Sequence, residues 1–119
     1  MLTETPSLLI TDDDRDFRET LRAAFEPMGF HTHLASNGSE ALDIVQSRPI
    51  HLALLDMHMP RMDGLETIRL LKRHRAMLPC ILMSAELDDL VIQQAQLVHV
   101  FTVLSKLGGL SPIRGMVLQ

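Results

Sequence analysis

The sequence predicts an open α/β fold: a doubly wound sheet of five parallel strands with helices on both faces. Five short apolar runs alternate along the chain with segments whose apolar residues recur at helical spacing, which is the pattern of strand–helix repeats with right-handed crossovers. Several of the runs are continuously apolar, as strands covered on both faces are. A length of 119 residues, with 46% hydrophobic and 22% charged residues, suits one domain.

The first run, Ser7 to Thr11, stops at Asp12, Asp13 and Asp14. Phe17, Leu21, Ala24, Phe25 and Met28 then repeat at helical spacing, with Gly29 where a left-handed cap is wanted. Phe30, Thr32 and Leu34 alternate with His31, His33 and Ala35, predicting a strand with unequal faces near a sheet edge. Ser36 to Ser39 form a turn that caps a second helix carrying Ala41, Leu42 and Val45 and ending before Pro49. Leu52 to Leu55 form an apolar block closed by Asp56, the mark of a central strand.

Residues 57–64 read as loop, followed by a third helix lined by Leu65, Ile68, Leu70 and Leu71. Cys80 to Met83, closed by Ser84, make the fourth strand. A helix between Asp88 and Leu97, a strand from Val100 to Leu104 and a last helix begun by Ser111 and Pro112 complete the five repeats. That last helix is short, so the single domain spanning residues 1–119 is also readable as a fragment of a longer protein.

Net charge is −4 and the isoelectric point is near 5.8, which argues against direct nucleic-acid binding by this domain. The one basic cluster, Arg69, Lys72, Arg73, His74 and Arg75, falls at a helix end, where cations complement the dipole. Cys80 is the only cysteine, so a disulfide framework or cysteine zinc cage is excluded. The longest stretch without acid, lysine or arginine, Leu90 to Ser105, carries three glutamines and is too short and polar to span a bilayer. With no signal-peptide pattern either, the expected compartment is the cytoplasm.

Ligands of open parallel sheets bind at the carboxyl ends of the strands. Here those ends carry Asp12 and Asp13, then Asp56, then Ser84, then Ser105 and Lys106. Three neighbouring carboxylates repel one another and raise each other's pKa unless a cation relieves them. An all-oxygen cluster with few protein ligands suits Mg²⁺, and lysine pairs with phosphate as a point charge. The rim therefore describes a phosphoryl-binding site.

These residues also carry a family resemblance. Leu9-Ile10-Thr11-Asp12-Asp13-Asp14, Asp56-Met57-His58-Met59-Pro60 with Asp63-Gly64, Ser84-Ala85 and Lys106 resemble the four signature motifs of the response regulator receiver domains of two-component systems, over nearly the whole chain. The steps of 43, 28 and 22 residues from Asp13 to Asp56, Ser84 and Lys106 in turn agree with that family. The resemblance implies the flavodoxin-like (βα)5 receiver fold. It also implies that Asp56 takes a phosphoryl group from a phosphohistidine on a sensor histidine kinase or phosphotransfer protein. Asp12, Asp13, Asp56 and the backbone carbonyl of His58 would hold Mg²⁺, Ser84 would bond the phosphoryl oxygen, and Lys106 would pair with it. The implied readout is a surface, or a homodimer, built on helix four, strand five and helix five. Such a domain is a signalling phosphoacceptor and not an enzyme with an external substrate.

Two positions depart from the family pattern. Val103 stands where an aromatic switch residue is usual, with Phe101 two residues earlier on the same strand face as a conceivable substitute. Leu107 replaces the proline that usually follows the lysine, which predicts a trans peptide there, since a non-proline cis bond costs about 2.5 to 4 kcal/mol. Both departures also suit an alternative, a docking module that works without phosphorylation. A phosphatase of another aspartyl-phosphate class would need an acid where His58 stands. The other histidines, His31, His33, His51, His74 and His99, are scattered and receive no role.

Overall fold

The computed structural model describes residues 5–118 and contains five strands and five helices in strict alternation. The strands are β1 (Ser7–Thr11), β2 (His31–Ala35), β3 (Leu52–Asp56), β4 (Cys80–Ser84) and β5 (Thr102–Ser105). The helices are α1 (Arg15–Phe25), α2 (Gly38–Ser47), α3 (Gly64–His74), α4 (Asp89–Leu97) and α5 (Leu110–Val117). All strand pairs are parallel, in the order β2-β1-β3-β4-β5. The doubly wound fold expected from the alternation is thus observed, with β3 central and β2 at an edge.

Two apolar layers hold the sheet. On one face Leu9, Ala53, Leu55 and Leu82 pack with Ala41 and Val45 of α2, Leu65, Ile68 and Leu71 of α3, and Val91 and Ala95 of α4. On the other, Leu8, Ile10, Leu54, Ile81 and Met83 meet Leu21 and Phe25 of α1 and Ile113 and Val117 of α5. Strands β1 and β4 are buried along their whole length, which explains their unbroken apolar runs.

Four helices begin where a side chain satisfies orphan backbone donors. Asp14 accepts from the amides of Asp16 and Phe17, Asn37 from Glu40, Asp63 from Glu66, and Asp88 from Val91. Lys72, Arg73 and His74 occupy the last turn of α3. Lys72 also donates to the Leu78 carbonyl, and Arg75 to those of Arg48 and Ile50. The basic cluster is therefore a stitched helix end, as its position indicated. His51 Nδ1 accepts from the Ser7 amide at 2.8 Å and has a structural task.

Among the boundaries that differ from the sequence expectation, three have a cause visible in the backbone. Helix α1 ends at Phe25 and passes into a 3-10 turn, Glu26–Met28, because Pro27 lacks the amide that would continue it. Gly29, at φ 95°, caps that turn and not the α-helix. Strand β5 begins at Thr102 because Val100 belongs to the end of α4: its amide bonds back to the Ala95 carbonyl while His99 takes a left-handed φ of 57°. Helix α5 begins at Leu110, behind Gly109 at φ 78°, after a 3-10 turn over Lys106–Gly108. Ser111 and Pro112 lie inside its first turn.

Candidate functional site

Parallel strands aim their carboxyl ends at one rim, and the register places Thr11 beside Leu55, Asp56 beside Met83 and Ser84 beside Ser105. The residues that follow are thereby gathered from four strands. Carboxylate oxygens of Asp12, Asp13 and Asp56 lie within 4.8 Å of one another, the only such cluster among the described residues. Asp12 is fully buried, Asp56 is 4% exposed, and Asp13 faces solvent.

Asp12 is the best anchored of the three. Its Oδ1 accepts from the Asp14 amide at 2.9 Å, its Oδ2 from Lys106 Nζ at 2.8 Å, and its backbone carbonyl from Arg18 at 2.6 Å. Lys106 Nζ also lies 3.4 Å from Asp56 Oδ1 and 4.4 Å above the ring centroid of Phe17. Of the three consecutive acids, Asp14 is the one that caps α1, leaving Asp12 and Asp13 for the cluster.

The electrostatics follow from burial. Desolvation, then the charge of Asp12, raises the Asp56 carboxyl to about 6 against the pull of Lys106. Desolvation alone would lower the Lys106 ammonium. The Asp12 hydrogen bond and the charges of Asp12 and Asp56 outweigh it, so its pKa stands above the ordinary lysine value. Hard carboxylate oxygens gathered so closely, one of them on an exposed side chain, fit a small divalent cation such as Mg²⁺.

Ser84 is fully buried at the tip of β4, where its hydroxyl donates to the Glu86 carbonyl at 2.7 Å and accepts from the Glu86 amide. It therefore stands beside the carboxylates but is engaged in its own turn. The His58 side chain is exposed, two residues beyond Asp56. The loop that carries it is clamped at its base: the Met57 amide bonds the Met83 carbonyl, and the Gly64 amide bonds the Met57 carbonyl. Gly64 has no room for a side chain, since a Cβ there would overlap the Asp56 backbone oxygen and sit 2.7 Å from Leu82 Cδ1.

Phe17 and Arg18 are structural partners of this rim that site reasoning from the sequence did not single out, and Gly64 stood in a signature motif without a stated role. Phe17 was legible only as an apolar position of α1, and Arg18 as an ordinary surface cation. On the output side, the Lys106–Leu107 peptide is trans, as expected, and Val103 is half-buried against the α2–α3–α4 layer. Phe101 does not stand in for an aromatic switch. Its amide bonds Cys80 at the start of β4, and its ring lines a hollow with Pro6, Phe30 and Pro79 at the opposite end of the sheet.

Comparison with known proteins places this geometry in a family. A response regulator receiver domain model matches residues 8–117. Among curated relatives, regulatory protein AtoC of Escherichia coli is 37% identical over 84 residues, covering 71% of this chain and 18% of AtoC. Response regulator MprA of Mycolicibacterium vanbaalenii is 41% identical over 78 residues, covering 66% of this chain and 34% of MprA. The matched region thus spans no more than about a third of these relatives. Among solved structures, a response regulator receiver protein from Pseudomonas putida superposes with a TM-score of 0.91 at 25% identity, covering 98% of each chain. TrrA from Thermotoga maritima, solved in complex with Mg²⁺ and BeF, gives 0.85 at 24% identity, covering 94% of this chain and 96% of its own. With the family model matching nearly end to end, the chain belongs to the response regulator receiver domains of two-component signalling.

Proposed function

We propose that the domain is a phosphoacceptor: Asp56 receives a phosphoryl group from a phosphohistidine on a sensor histidine kinase or phosphotransfer protein, in a Mg²⁺-dependent reaction. The observation that carries this reading is the placement of Asp56 at the tip of β3, nearly buried, with two further acids and Lys106 around its carboxylate. Mg²⁺ and a BeF group in the TrrA structure support it by likeness of fold. Asp12, Asp13, Asp56 and the backbone carbonyl of His58 would hold the metal, which supplies charge neutralisation for the incoming anion.

One oxygen of Asp56 attacks phosphorus in line. The new P–O bond replaces the P–N bond, and the imidazole leaves with the bonding electron pair and takes up a proton. Lys106, already 3.4 Å from Asp56 Oδ1, meets the anion with a fixed positive charge and little reorganisation. Ser84 breaks its bond to the Glu86 carbonyl to donate to a phosphoryl oxygen, linking the modification to the start of α4. The added charge of about −1.5 to −2 is read through α4, β5 and α5, by a partner protein or a second copy.

Treatment with a small phosphodonor and Mg²⁺ tests this directly. Wild type gains the mass of one phosphoryl group and Asp56→Asn does not; identical spectra for the two proteins would overturn the reading. Val103 favours a second reading, docking that is indifferent to phosphorylation, because an aliphatic side chain packed into the α2–α3–α4 layer has no ring to reorient. That reading predicts equal partner affinity with and without beryllofluoride.

A further inference from the structure

We infer that Phe17 is a positioning residue for Lys106: its ring face holds the ammonium over the acidic cluster, through a circuit of contacts that this chain closes by itself. The inference rests on the reading of Lys106 as the cation that meets the phosphoryl group. The circuit runs through four residues. Asp12 Oδ1 accepts from the Asp14 amide; Asp14 Oδ1 caps the amides of Asp16 and Phe17; the Phe17 ring lies 4.4 Å beneath Lys106 Nζ; Lys106 returns to Asp12 Oδ2. Arg18, the next residue of α1, ties the Asp12 carbonyl from the same turn. One turn of α1 therefore grips both ends of the Asp12–Lys106 pair.

Such a grip answers a need visible in the chain. The 3-10 turn over Lys106–Gly108, capped by the Ser105 hydroxyl, holds the backbone there, but Leu107 beside it is 82% exposed and nothing in the turn holds the lysine stem itself. A lysine stem carries much rotamer freedom, and an ammonium is attracted to an aromatic face by the ring quadrupole. A ring at this place supplies a second fixed point for Nζ beyond Asp12. It does so without competing for the carboxylate oxygens, because the face of a ring neither coordinates a cation such as Mg²⁺ nor donates to a phosphoryl group. Phe17 also packs against the α1–α5 layer, so the platform is itself held.

The test is binding of Mg²⁺ with beryllofluoride by the full chain, measured for wild type, Phe17→Leu, Phe17→Tyr, Lys106→Ala and the Phe17→Leu/Lys106→Ala double variant. Leucine keeps the apolar packing and removes the quadrupole; tyrosine keeps both. Phe17→Leu is expected to lose about three- to tenfold in affinity and Phe17→Tyr to stay within about twofold of wild type. In the Lys106→Ala background the Phe17→Leu loss should vanish. In parallel, NMR should show the Lys106 ε-methylene protons shifted upfield by the ring current in wild type and Phe17→Tyr, but not in Phe17→Leu. Equal affinity of Phe17→Leu and wild type, or a loss that persists undiminished without Lys106, would overturn the inference. Failure of wild type to bind the mimic at all would instead count against the phosphoacceptor reading, and the ring-current shift would then decide the Phe17 contact alone.

Discussion

Asp56 sits at the tip of a central strand with an environment that disfavours its charge. Its folded pKa of about 6 lies above the ordinary carboxylate value, so between about pH 4 and pH 6 the folded state binds more protons than the unfolded state. Stability therefore falls as pH rises through that window and stays reduced above it. A shift of about two units corresponds to ~3 kcal/mol as an upper figure. Asp56→Asn is expected to raise the melting temperature by several degrees at pH 7.5 and to make little difference at pH 4, which thermal melts across pH would check. A melt of Asp56→Asn below that of wild type at pH 7.5 would contradict the expectation. The same residue scale contains the opposite case at Gly64. Its missing side chain is what lets α3 approach Asp56 and Leu82, and Gly64→Ala should cost about 1–3 kcal/mol in a denaturant titration, through overpacking against backbone that cannot move aside.

At the scale of elements, the helices differ in how firmly they are held. Helix α3 buries Gly64, Leu65, Thr67, Ile68 and Leu71, whereas α4 buries only Val91 and Ala95. Its start depends on the Asp88 side chain, so Asp88→Ala should cost about 1 kcal/mol and raise amide hydrogen exchange in α4 well before α1 or α3 responds. Uniform acceleration across all helices would contradict this. Element boundaries were legible in the sequence where a local rule decides them: the turn from Ser36 to Ser39, whose Asn37 caps α2, and the stop before Pro49. They were illegible where tertiary bonds decide. Nothing in Val100 announces that the end of α4 claims its amide. For Phe101 the signal was present: it stands at the start of the last apolar run, away from the carboxyl end that carries the rim, which period-two alternation alone passes over.

For the whole molecule, the parallel doubly wound sheet and the convergence of acids at one rim followed from alternation and from where each apolar run stopped, whereas the strand order is a finding of the structure. Asp12, Asp13, Asp56, Ser84 and Lys106 were therefore identifiable before any coordinates. The Phe17 and Arg18 contacts were not, because a core position and a surface cation acquire site roles only once α1 packs beside β1 and Lys106 reaches across to it. The assembled rim also predicts a global response. Millimolar Mg²⁺ should raise the melting temperature by several degrees at pH 7.5, above the Asp56 value of about 6. It should have little effect at pH 4.5, and less effect at either pH for Asp13→Asn. Calorimetric scans with Mg²⁺ and with a matched concentration of Na⁺ would separate site binding from ionic strength; equal shifts from the two salts would count against a specific cation.

The clamp at the base of the loop that follows β3 has a mechanical corollary. The Asp56 backbone is braced on one side by Gly64, with no clearance for even a methyl group, and the neighbouring Met57 amide is tied to β4. A bulky anion added to the carboxylate would find no recoil in that direction. The yielding would fall on the opposite bank, where β5 is half-buried along its length and runs into the exposed pair Gly108 and Gly109. Stiffness behind Asp56 and compliance across from it would give any displacement a single direction to travel.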